Sequence, residues 1–187
     1  KLTVDAVAKR VPVIPGVRAP GFHAALQAAR EFADAGPAAL MVLTPYYTTP
    51  TQAGIREYFL RYADASPLPV MIYEIPYRTR IAIAPEVLHE LSRHPNIIGM
   101  KACNTDMYHF LRTVAGVDES FAVCSGEDTL LPEEVEAGPV GEADGADAPR
   151  QPGRPPVGER GPCDLLQLVE QVAGVGLDVA LMVVRDR

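Results

Sequence analysis

The chain has 187 residues, with 17 basic and 24 acidic side chains and a formal charge of −7. That is the length of one domain, and 48% apolar residues suffice for a globular core. A net acidic chain gives no electrostatic reason to bind nucleic acid or an anionic membrane, and no uncharged apolar run reaches the ~18 residues of a membrane span. Lys1-Leu2-Thr3-Val4-Asp5 has no apolar signal region, and a first residue other than Met is expected of a fragment. Cys103, Cys124 and Cys163 are odd in number and form no C-x-x-C pair. This disfavours a disulfide framework or a structural zinc site and points to a reducing, cytoplasmic setting.

Residues 1–136 alternate short apolar runs with helix-like stretches. The runs are Val11–Ile14, Ala39–Leu43, Val70–Tyr73, Ile97–Met100 and Phe121–Cys124. Each is apolar at consecutive positions, which predicts strands buried on both faces and hence a parallel sheet covered by helices. Helices are predicted at 22–35, 52–65, 85–93, 105–115 and 127–136. In the second, Ile55, Tyr58, Phe59 and Tyr62 fall on one stripe of a 3.6-residue period. In the third, Pro85 stands in the first turn, where its missing N–H costs nothing. A βα repeat of this kind makes an α/β fold, either a doubly wound sheet or a (β/α)8 barrel. A full barrel needs about 250 residues, so the five units visible here would be a partial one.

Residues 137–164 differ in kind. Gly and Pro fill 12 of the 28 positions, eight more are charged, and Leu, Ile, Phe, Met and Tyr are missing. Such a segment buries too little apolar surface to offset its ordering entropy, so it is expected to be disordered. An apolar tail over 165–187 follows, predicted as a short helix and then a strand. Two readings of 137–164 stay open: an interdomain linker, or a reading frame lost near Glu136.

In such folds the reactive side chains gather where strands end. Lys101 ends the fourth run. An amine there either keeps its head in solvent or is desolvated, which lowers its pKa and frees it as a nucleophile. Attack on a ketone then gives a Schiff base, an electron sink for an adjacent C–C bond. Tyr73 ends the preceding run 28 residues earlier, so its phenol is expected to face the amine and shuttle protons. Tyr46 and Tyr47 are adjacent, so one can pack while the other reaches a site. Arg78, after a proline turn, is suited to a carboxylate. His23, His89, His94 and His109 have no metal-ligand spacing, no GxSxG is present, and Gly16, Gly21 and Gly36 form no phosphate-binding fingerprint. No metal and no other cofactor is therefore expected.

Thr44-Pro45-Tyr46-Tyr47, Tyr73-Glu74-Ile75-Pro76-Tyr77-Arg78-Thr79 and Ile97-Ile98-Gly99-Met100-Lys101 together resemble the dihydrodipicolinate synthase / N-acetylneuraminate lyase family. Val11–Gly16 and Ser125-Gly126-Glu127-Asp128 fall in family-like order and spacing. The resemblance spans about 1–136 and implies a (β/α)8 barrel whose Lys101 forms a Schiff base with pyruvate. It implies that Tyr73 relays protons to it and that Tyr47 is the relay tyrosine lent to a neighbouring subunit. It implies a homo-oligomer, dimer or tetramer, acting as a carbon–oxygen or carbon–carbon lyase. Arg78 resembles the arginine that holds the carboxylate of the aldehyde substrate, which favours the synthase branch, a reaction of lysine biosynthesis. The alternatives are a sialic-acid or keto-sugar-acid lyase and a catalytically inactive remnant.

The departures are Glu74 for the family's usual Asn, Arg80 for its usual Gly and Ala102 for its usual Glu. The family's Gly-Thr-Thr-Gly-Glu loop, which binds the pyruvate carboxylate, would precede residue 1. The five visible strands accordingly map to barrel positions three to seven.

Overall fold

A computed structural model describes residues 1–8, 10–126 and 130. The predicted helix at 127–136, the segment 137–164 and the tail 165–187 lie outside the described residues, Leu130 apart.

The elements run α1 (Leu2–Val7), β1 (Gly16–Val17), α2 (Phe22–Ala33), β2 (Leu40–Leu43), α3 (Gln52–Ala65), β3 (Val70–Glu74), α4 (Pro76–Thr79), α5 (Pro85–Leu91), β4 (Ile97–Ala102), α6 (Met107–Gly116) and β5 (Ala122–Ser125). All strand pairs are parallel, and the sheet order is β1-β2-β3-β4-β5. Each crossover therefore steps to the next strand in the same sense. A doubly wound sheet reverses its strand order at a switch point. The unreversed order makes these five strands consecutive units of a (β/α)8 barrel.

The helices start where their sequences supply missing acceptors or need no donor. The Gly54 N–H donates to Thr51 Oγ1 at 3.2 Å at the head of α3. Asp106 Oδ1 accepts from the Tyr108 and His109 N–H groups at the head of α6. Both α4 and α5 open on proline, whose ring presets the first turn. The expected stripe of α3 is real: Ile55, Phe59 and Tyr62 are fully buried, and the Tyr62 hydroxyl donates to the Ala25 carbonyl of α2 at 2.9 Å. Neighbouring helices are tied in sequence, Arg56 to Glu90 between α3 and α5 and Arg112 to Glu86 between α6 and α5.

Paired residues in a parallel ladder share a face. The row Val42, Ile72, Met100, Val123 lies in the helix-covered core. The next row, Leu43, Tyr73, Lys101, Cys124, therefore faces the opposite side, towards the barrel axis. Helices cover the first face; on the second, Cys124 is fully buried and Leu43, Tyr73 and Lys101 are partly exposed.

Two local expectations are corrected. The first strand was expected at Val11–Ile14 but lies at Gly16–Val17. The Val13 and Pro15 carbonyls already accept from the Ala38 and Met41 N–H groups at 2.9 Å. Pro12 and Pro15 have no N–H to return, so a regular ladder starts only beyond them. The proline turn after β3 is a short helix, α4, and α1 had no counterpart in the predicted elements.

Candidate active site

Tyr73 and Lys101 are register partners near the carboxyl ends of β3 and β4. The Lys101 Nζ sits over the Tyr73 ring, 5.2 Å from its centroid, within cation–π range. One βα crossover makes their strands neighbours, and equal depth in those strands sets both side chains on one face.

Two cysteines complete this cluster, and sequence reasoning did not assign them to it. Cys124 is the register partner of Lys101 on β5 and is fully buried. Burial pushes its thiol up to about 12, against a smaller lowering by Lys101. Cys103 follows Lys101 by two residues, is 1% exposed, and donates to the Gly126 carbonyl at 3.3 Å. The Tyr73 phenol is likewise pushed up to about 12, chiefly by burial, then by the charges Cys103 and Tyr77 can carry and a hydrogen bond with Cys103, against a lowering by Arg78. At neutral pH this phenol holds its proton. The spacing of two between Lys101 and Cys103 was a usable signal; the Cys124 pairing needed the register.

Gly126 leaves room for the Cys103 and Lys101 side chains. A Cβ there would lie 2.1 Å from Cys103 Sγ and 2.8 Å from Lys101 Cε. The close approach is possible only without a side chain.

Arg78 is exposed in α4 and lines a cavity of about 540 Å³ with Arg18, Leu43, Tyr46 and Thr79. Leu43 is the register partner of Tyr73, so this cavity lies one strand from Tyr73, on the side away from Lys101. The Tyr46 hydroxyl donates to the Arg18 carbonyl at 2.9 Å. Thus Tyr46 lines the cavity, whereas Tyr47 is 86% exposed.

Glu74 and Ala102 sit one residue beyond the catalytic candidates, in the buried row that ends at Ser125. The Glu74 carboxylate accepts from the Ile83 N–H at 2.8 Å and lies 3.5 Å from His109 Nε2 on α6. It braces the segment after α4. Arg80 takes the left-handed conformation (φ 63°, ψ 19°) that ends α4. Among the described residues no cluster of His, Cys, Asp or Glu could hold a metal, and no helix is long and apolar enough to cross a membrane.

The sequence pattern of the dihydrodipicolinate synthetase family matches residues 1–146. A 4-hydroxy-tetrahydrodipicolinate synthase of Acidiphilium cryptum is 37% identical over 141 residues, 75% of this chain and 48% of that protein. The crystal structure of dihydrodipicolinate synthase from Thermotoga maritima superposes with a TM-score of 0.71 at 28% identity, covering 73% of this chain and 48% of that one. A chloride-inhibited dihydrodipicolinate synthase from Acinetobacter baumannii, complexed with pyruvate, gives 0.69 at 30% identity over 72% and 46% of the two chains. The chain spans a little under half the length of the curated relatives it matches.

Proposed function

The chain belongs to the dihydrodipicolinate synthetase family, and from that premise we propose that it carries the Schiff-base half of a pyruvate-dependent lyase site of the 4-hydroxy-tetrahydrodipicolinate synthase type. One observation carries the reading: the Lys101 amine lies against the Tyr73 ring at 5.2 Å, on paired strands, at the carboxyl end of a barrel sheet.

The Lys101 amine attacks the keto carbon of pyruvate, and the carbinolamine loses water to give an imine. Tyr73, protonated at neutral pH, gives a proton to the departing hydroxyl and recovers one as the methyl carbon is deprotonated. The resulting enamine attacks the aldehyde carbon and forms the C–C bond. Arg78 binds an anionic group of the aldehyde from the adjoining cavity. Tyr47, exposed on the loop after β2, serves the site of a neighbouring copy in a homo-oligomer. The thiols of Cys103 and Cys124, which form no disulfide among the described residues, suit a reducing cytoplasm.

The test is reductive trapping. The full chain is incubated with pyruvate and borohydride, digested and analysed by mass spectrometry. A carboxyethyl adduct on Lys101 is expected, absent from Lys101→Arg. Tyr73→Phe should slow its formation by about 10²-fold or more, the usual contribution of a positioned acid–base group. A folded chain left unmodified at Lys101 overturns the reading.

A further inference from the structure

Two arginines, Arg18 and Arg78, line one cavity, where an acceptor with a single carboxylate needs one. Arg18 follows β1 and Arg78 lies in α4. They come from segments far apart in sequence, yet line the same space of about 540 Å³. The other lining residues, Leu43, Tyr46 and Thr79, bring no carboxylate. Among the described residues neither arginine enters an ion pair. Arg78 lies over the Tyr77 ring, 5.6 Å from its centroid, which leaves its donors available at the edge of the fork.

Both segments are held in place. The Tyr46 hydroxyl bonds the Arg18 carbonyl, anchoring the backbone that bears Arg18. The Thr79 hydroxyl, 3% exposed, lies 3.1 Å from the Ile75 carbonyl and 3.2 Å from that of Ile81, fixing the turn that bears Arg78. Two like charges directed into one cavity repel each other until an anion sits between them. A singly charged ligand leaves one positive charge in that space uncompensated, whereas one carrying two charges compensates both.

We infer that Arg18 and Arg78 form a subsite for a dianionic acceptor, an aldehyde whose oxyanion groups together bring two negative charges, as a dicarboxylate or a phosphate ester does. Calling the ligand an acceptor rests on the proposed function; the anion site itself rests on the cavity. Arg78 engages the oxyanion next to Tyr73, and Arg18 the one on the β1 side.

Binding to the full chain, without pyruvate, separates these statements. Succinate, inorganic phosphate and butyrate are titrated by calorimetry at low ionic strength. One of the two dianions should bind about tenfold more tightly than butyrate, a gain in the range of one charge-assisted pair. Whichever leads identifies the dicarboxylate or the phosphate form. Arg18→Gln should bring that dianion to within about twofold of butyrate and leave butyrate unchanged. Arg78→Gln should weaken all three. Arg30→Gln, on the exposed end of α2, removes the same charge elsewhere and should change none. Equal binding of all three probes overturns the inference, as does an Arg30→Gln loss equal to that of Arg18→Gln. Reductive trapping of Arg30→Gln with pyruvate should match the parent chain. A dianion preference that needs Arg18 in a chain that does not trap pyruvate upholds the subsite while the Schiff-base reading fails. Trapping without any dianion preference does the reverse.

Discussion

Arg80 holds a backbone conformation that disfavours any side chain with a Cβ. Its φ of 63° puts it in the left-handed region, where it ends α4 with its N–H on the Pro76 carbonyl at 2.7 Å. The strain costs about 1–2 kcal/mol for a non-glycine residue. Glycine removes that strain but adds freedom to the unfolded chain, about 0.5–1 kcal/mol. Arg80→Gly should therefore stabilise the chain by about 0.5–1 kcal/mol net, read as a higher urea midpoint at unchanged slope. Gly99 is the opposite case. A Cβ there would lie 2.4 Å from the Ala122 carbonyl oxygen, a backbone atom that cannot swing aside. Gly99→Ala should push β4 from β5 and cost about 1–3 kcal/mol; an unchanged urea midpoint would contradict that packing.

At the scale of elements, Glu74 joins three of them. It stands at the end of β3, accepts from Ile83 ahead of α5, and lies 3.5 Å from His109 on α6. Its other oxygen has no partner among the described residues. Glu74→Ala should leave the Ile83 N–H unsatisfied over a new cavity and cost about 2–4 kcal/mol in urea unfolding, whereas Glu74→Gln keeps the acceptor and should recover most of it. The sequence exposed β2 to β5 and α3 well, because a parallel strand buried on both faces and an amphipathic helix each carry a local pattern. It misplaced β1 because prolines at 12 and 15 make an apolar run without a full set of donors. Lys101 and Tyr73 were legible from their position at run ends. The neighbourhood of Cys124 and the company of Arg18 with Arg78 were not, since both depend on register and loop placement across strands.

At the scale of the molecule, buried groups that hold protons make stability depend on alkaline pH. Cys124 is raised from 9.0 to about 12, Tyr58 and Tyr73 from 10.0 to about 12, and burial also raises Tyr62. They lie in different places, Tyr58 and Tyr62 between α2 and α3, Cys124 and Tyr73 on the barrel face. In each, the folded state binds its proton more tightly than the unfolded chain does. Stability from these groups is complete below the unfolded pKa and is lost as pH rises through the folded one. The loss should begin near pH 9 with Cys124 and steepen above pH 10 as the tyrosines join. Urea midpoints measured from pH 7 to 11 should be flat at first and then fall. Cys124→Ala should remove the earliest part of the decline, and Tyr58→Phe should reduce the later part. Because Tyr58 packs far from the amine and Cys124 beside it, the two variants separate loss of the helix layer from loss of the site. A midpoint that stays level from pH 9 to 11 would mean that these groups meet water in the folded chain, and the burial of Cys124 beside Lys101 would not hold.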